Sequence, residues 1–408
     1  MRNMKNRESI IMIAMLLVTT VGSLSVFIIG TVAKFVMEDL KLSYSLMGFA
    51  ISIQRIASTI TALFIGYAID RLGPLNVLFM TMTISVSSLF LTPLSQGLEL
   101  LLATRVVAGA VFPAYWPSCT KITSFAISRR RIGFATALFE SGSVVGVVIT
   151  YLLIPVTNSW RELFVISTLI SLILAFAAIA LLSKEVKTSY KGLRHGIGMG
   201  FGVNAKSREI VERAIIIFFA FLLALQPWAF YTSWLSTYIM EKTRAEIKDI
   251  WIPITVFLLI GMVLGIVSSI SSDKIGGLKG RKMVLSITLG VTAISLYMLT
   301  LSTSNIFVWF FVATSIVSYR AFLPLAWAII NDIIPQNLAG FISSVNALAG
   351  QISMMITPII MAYIRDVIGS FDISVAILAL FVFISIPLYL CLKPVSSTNR
   401  NCILQIGI

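Results

Sequence analysis

Apolar runs long enough to cross a bilayer alternate with short polar stretches along the whole chain. A helix needs about 20 mainly apolar residues to traverse the hydrocarbon core, and the sequence predicts such spans near 10–34, 44–69, 75–95, 98–121, 132–155 and 162–183. A polar stretch from Lys184 to about Glu212 follows, and then spans near 213–239, 250–272, 283–303, 305–330, 339–363 and 373–392. The predicted fold class is an all-α membrane protein of twelve transmembrane helices. Its predicted parts are an N-terminal six-helix bundle over 1–183, a central loop over 184–212, and a C-terminal six-helix bundle with a short tail over 213–408. The first apolar run follows Arg2, Lys5 and Arg7 as a secretory leader would, but it is too long for a leader's apolar core and lacks a small-residue cleavage site.

An even number of crossings places both termini on one face. That face, with the loops that share it, carries 21 Lys and Arg residues; the opposite face carries 7, and three lie within spans. Basic loops resist translocation, so the termini and the central loop are expected in the cytoplasm of a cell-membrane protein. Composition agrees: 58% of residues are hydrophobic and 12% charged, against roughly 25% charged in soluble domains. The net charge of +14 sits in short loops rather than on one basic face, so it is assigned to membrane orientation and not to nucleic acid. Cys119, Cys391 and Cys402 imply no disulfide framework. The sole histidine, His195, falls in the central loop, and no metal or cofactor site is expected. Without a nucleophile, ligand cluster or acid–base pair, an embedded enzyme is disfavoured.

The two halves repeat each other. Met37-Glu38 matches Met240-Glu241, and Asp70-Arg71-x-Gly73 matches Asp273-Lys274-x-Gly276, both at an offset of 203; after a short insertion the offset becomes 207, pairing Pro117 with Pro324 and Gly133-Phe134 with Gly340-Phe341. Repeats related in this way commonly surround a central site in transporters, so two pseudo-symmetric six-helix bundles are expected around a central cavity.

Gly66-Tyr-Ala-Ile-Asp70-Arg71-Leu-Gly73 follows the second span, and Ser269-Ile-Ser-Ser-Asp273-Lys274-Ile-Gly276 follows the eighth, with Gly280-Arg281-Lys282 beyond it. These segments resemble the loop signature of the major facilitator superfamily. Arg105-x-x-x-Gly109 with Pro113 and Pro117 is similar to that superfamily's fourth-helix motif. Ser159-Trp160-Arg161-x-x-Phe164 and Ala339-Gly340-Phe341, with Pro358, Asp366 and Gly369, are closest to its anion:cation symporter branch. Departures exist. Pro74-Leu75-Asn76 replaces a basic run, Ser269 replaces a glycine, and Phe112 stands where the branch carries an acidic residue. The branch's first-helix arginine is missing near Val26, and the fifth span lacks the Gly-Pro pair of drug antiporters. The resemblance implies a secondary active transporter working by alternating access, expected as a monomer. Asp70, Arg71, Gly73, Asp273, Lys274 and Gly276 are its implied conformational latch.

Four charges fall well inside spans: Arg55, Arg105, Glu140 and Arg320. Each costs roughly 2.5–3.5 kcal/mol at a helix centre on insertion scales. Their repeat partners are Leu258, Val312, Ala347 and Pro113, so the common scaffold does not require them, and the asymmetry points to substrate or coupling. Arg55, Arg105 and Arg320 are candidate contacts for an anionic substrate, because a planar guanidinium matches two oxygens, with structural pairing as the alternative for Arg105; Gln226, Trp234 and Asn346 are candidate lining. Glu140 is the candidate proton carrier, with a fixed ion pair to Arg55 or Arg105 as the alternative. The expected function is proton-coupled symport of an organic anion such as a carboxylate or sugar acid. The alternative is proton-driven efflux of amphipathic or cationic compounds.

Overall fold

The computed structural model describes residues 2–128, 131–190, 208–333 and 336–393; residues 191–207, with His195, and the tail from 394 lie outside that description. With no water in the hydrocarbon, each backbone amide must be satisfied within its own segment, and a helix does this. Among the described residues every regular element is a helix, and twelve are long and apolar enough to span: Asn6–Thr31, Tyr44–Leu72, Pro74–Leu94, Leu98–Ala126, Phe134–Val156, Trp160–Glu185, Ile210–Ser233, Ile247–Ser272, Gly277–Leu301, Asn305–Ala328, Val345–Ile368 and Asp372–Cys391. All twelve coincide with the predicted spans to within about six residues at either end.

Local chemistry sets the ends and breaks. Ser43 accepts a hydrogen bond from the Leu46 N–H at 3.2 Å and starts the second span. Gly73, at φ 85°, ends that span in the left-handed region, and Pro74 opens the third at a position where its missing N–H costs nothing. Pro113 interrupts the fourth span with a short 3-10 turn over Phe112–Ala114. The seventh crossing is built in pieces, Arg208–Ala224, Gln226–Ser233 and Leu235–Thr243, with Pro227 just past the first break.

Helix pairings recur at a six-helix interval. The third span packs on the fourth and sixth, and the ninth on the tenth and twelfth; the first packs on the sixth, and the seventh on the twelfth. Small residues set the closest crossings, as in lipid they must. A Cβ on Gly109 would lie 2.0 Å from the Gln54 carbonyl oxygen, and one on Gly146 would lie 2.6 Å from the Ser23 Cβ. Large apolar side chains such as Leu63, Phe64, Phe176 and Ile306 are exposed, as a surface meant for acyl chains requires.

Contacts divide the chain into two compact units. One comprises Met1–Gly200, Phe230–Thr255 and Pro358–Gly369; the other comprises Phe201–Ala229, Val256–Thr357 and Ser370–Ile408. Two segments of the second sequence repeat therefore group with the first, through contacts described below.

Candidate functional site

Arg55 lies midway along the second span and is 4% exposed. Its guanidinium carbon is 5.0 Å from the centre of the Phe27 ring and 4.8 Å from that of Phe112. Two aromatic faces offset part of the cost of burying a cation, by up to about 2 kcal/mol each when desolvated. They leave the in-plane N–H groups unused. Among the described residues Nη2 has no hydrogen-bond partner, and no carboxylate acts on the guanidinium. Gln54, the preceding residue, donates to the Val26 carbonyl at 3.1 Å. That bond and the Gly109 crossing fix the second span against the first and fourth, and so fix where Arg55 meets its two rings.

Arg105, on the fourth span, is fully buried and engaged at both Nη atoms, while its Nε has no partner among the described residues. Nη1 donates to the Ser25 carbonyl at 3.1 Å and Nη2 to the Thr92 Oγ1 at 2.6 Å, while the guanidinium faces the Phe164 ring at 5.6 Å. These partners sit on the first span, at the end of the third and on the sixth, so Arg105 ties three helices to the fourth.

The other predicted residues fall in both units. Glu140 lies on the exposed side of the fifth span, eight residues or about 12 Å from the helix start at Ile132. The opposite side of that span buries Phe139, Gly142 and Gly146 against the first. Gln226 donates to Ser353 Oγ at 3.2 Å and to the Leu222 carbonyl at 3.0 Å, and accepts from Thr357. Arg320 is 9% exposed, with its guanidinium 5.0 Å from the Trp228 ring. Asn346 is fully buried, and neither end of its amide has a partner among the described residues. Trp234 is fully buried at a break between two short helices, where its indole N–H donates to the Pro358 carbonyl at 3.1 Å. The structure brings none of Gln226, Arg320 or Asn346 into the unit that holds Arg55, Arg105 and Glu140.

At the ends of the spans on the side of the termini, Asp70 pairs with Lys121 at 2.5 Å, and Lys121 also donates to the Ile69 carbonyl at 3.3 Å. Lys121, at the foot of the fourth span, is the partner that sequence reading missed. Arg71 lies over the Tyr67 ring at 5.0 Å. The second copy reverses the charges, with Arg281 paired to Asp332 at the foot of the tenth span. There Gly276 and Gly277 both have positive φ, and Lys274 is exposed; the Asp273 side chain lies outside the described residues.

The opposite ends are joined more heavily. Glu241 accepts from the Tyr44 hydroxyl and from Arg365 Nε at 3.0 Å, and Arg365 covers the Tyr44 ring at 4.7 Å. The Tyr44 ring lies 5.9 Å from that of Trp234. Asp366 accepts the backbone N–H groups of Tyr44 at 3.2 Å and Ser45 at 2.7 Å. Nearby, Arg161 pairs with Asp39 and donates to the Pro93 and Ser95 carbonyls at 3.0 and 2.9 Å.

The comparisons match this architecture. Over 85% of this chain and 84% of that protein, the sequence is 22% identical to the probable sulfoacetate transporter SauU of Cupriavidus necator. It is 23% identical to the probable galactarate/D-glucarate transporter GudP of Bacillus subtilis over 89% and 86%, and 22% identical to that organism's hexuronate transporter over 83% and 84%. Among solved structures, a bacterial homologue of the human lysosomal transporter Spinster, inward-facing and occupied, superposes with a TM-score of 0.74 at 13% identity over 94% of this chain and 96% of that one. The xylose transporter XylE from E. coli, inward open, gives 0.71 at 15% over 95% and 97%. These likenesses show the fold. The family model for the Major Facilitator Superfamily covers residues 15–279 and 250–403, so nearly the whole length is accounted for, and the chain belongs to that superfamily.

Proposed function

We propose that this multi-pass transport protein moves a small organic anion by alternating access, as proton-coupled uptake. The observation that carries the reading is Arg55, a buried cation whose Nη2 has no hydrogen-bond partner and on which no carboxylate acts among the described residues. An uncompensated charge in a membrane interior is costly, and an arriving carboxylate or sulfonate would compensate it. The names of the relatives, transporters of sulfoacetate, galactarate or D-glucarate, and hexuronates, support an anionic cargo.

In this reading Arg55 holds the anionic group and Glu140, on the accessible side of its helix, carries the proton. Arg105, Gln226, Trp234, Arg320 and Asn346 are further candidate substrate contacts. The two repeats, 1–183 and 213–408, joined by the loop at 184–212, rock around the site, with the termini in the cytoplasm. Asp70, Arg71 and Gly73, with Asp273, Lys274 and Gly276, latch the side of the termini. An export function for cations would leave the buried Arg55 facing like charge, which disfavours it.

Uptake of labelled D-glucarate, D-glucuronate and sulfoacetate into proteoliposomes under an imposed pH gradient tests the proposal. At least one anion is expected to accumulate and to stop doing so when the gradient is collapsed. Glu140→Gln is expected to keep exchange of internal for external substrate but lose the response to the gradient. Uptake indifferent both to the gradient and to Glu140→Gln would remove the coupling assignment.

A further inference from the structure

Three neighbouring side chains of the second span are buried with a polar atom left without a partner. Ser52, Arg55 and Ser58 stand at i, i+3 and i+6, over about 9 Å of helix. Their exposures are 0%, 4% and 1%, and Ser52 Oγ, Arg55 Nη2 and Ser58 Oγ each lack a hydrogen-bond partner among the described residues. The face has a direction. At one end Gly48 abuts the Pro358 carbonyl and Ala362. Beyond Ser58, Thr59 is half-buried and Ala62 exposed. Ser23, Ser95, Ser118, Ser167 and Ser171 of this unit are likewise buried without a partner, but none of them stands within one helical turn of an arginine that has an unpartnered nitrogen; Ser23 packs against Gly146 where the first and fifth spans cross.

Buried hydroxyls without partners are costly, and two of them flanking an unused guanidinium edge form a donor–acceptor strip. A plain acid would satisfy the arginine and leave both serines bare. An acid with hydroxyls a few carbons from its carboxylate would satisfy all three. We infer that Ser52 and Ser58 are specificity-determining residues that read the hydroxyl groups of a hydroxylated acid whose carboxylate Arg55 holds. The inference rests on the anchoring role proposed for Arg55, and it makes the serines the elements that separate hydroxylated acids from bare ones of equal charge.

The test measures equilibrium binding to the purified full chain in nanodiscs, using D-glucuronate, D-galacturonate and D-glucarate against hexanoate and adipate. At least one hydroxylated acid is expected to bind roughly 25-fold more tightly than its bare counterpart, at about 5-fold per hydroxyl read. Ser52→Ala and Ser58→Ala are each expected to weaken that acid about 5-fold while leaving the bare acid within about 2-fold, which also reports that the variants are folded. Equal affinity for both kinds of acid overturns the inference, as does no binding of any hydroxylated acid. An equal loss for both kinds in the serine variants would make the serines packing residues and overturn it too. Arg55→Gln separates the two layers. If it abolishes binding while the serine variants are neutral, the anchor stands and the reading of hydroxyls falls. If it leaves binding intact, the anchor itself falls.

Discussion

Arg55 and Arg105 are the same residue type, buried to nearly the same degree in neighbouring helices of one unit, yet they differ in what surrounds them. Arg105 gives two donors to Ser25 and Thr92. Arg55 is held between two rings that can accept none of its in-plane hydrogens. A charge that is hydrogen-bonded to its own fold contributes to stability, whereas one that is merely sheltered stays available to a ligand. Burial alone does not distinguish them; the directions of the donors do.

The contrast can be broken experimentally, and the largest effect is expected at the crossing that builds it. Gly109→Ala places a Cβ against the Gln54 backbone, which cannot rotate away, and should cost about 3 kcal/mol, seen as a sharp fall in thermal midpoint. Arg105→Gln should cost about 2–4 kcal/mol of stability through the two lost charge-assisted bonds, while whatever protein remains folded keeps its affinity for anion. Arg55→Gln should do the opposite, weakening anion binding about 30-fold, or about 2 kcal/mol, with an unchanged or raised melting temperature. If Arg105→Gln lost binding without losing stability, the roles assigned here would be exchanged. Phe112→Leu removes one ring face from Arg55 and should weaken binding about 3-fold. Lys121→Gln leaves Asp70 without its partner, but a half-exposed pair is worth under about 1 kcal/mol; the change should appear in transport rate rather than in melting.

Much of the architecture is legible in the residue pattern. Span positions follow from run length, the duplication follows from fixed offsets, and the candidate residues follow from rare charges in apolar context. What distinguishes Arg55 from Arg105 is not legible, because it depends on partners from other helices. Thr92 lies in the turn that ends the third span, thirteen residues before Arg105, and Phe27 lies on the first span; no periodicity links either to an arginine. Phe112 was visible only as a departure from the family's pattern, and the structure gives that departure a physical role. Likewise Glu241 could be matched to Glu38 by register, but its bonds to Tyr44 and Arg365 depend on how helices distant in sequence meet.

The start of the second span has a consequence for motion. Its first turn has two anionic or polar acceptors: Ser43, which belongs to the same segment, and Asp366, more than 300 residues away. One acceptor is permanent and the other is borrowed. If residues 358–369 withdrew from this end, the helix would give up Asp366 yet keep Ser43, so its terminal amides would not all be stranded at once. The contact can therefore release cleanly, without unravelling the helix it holds.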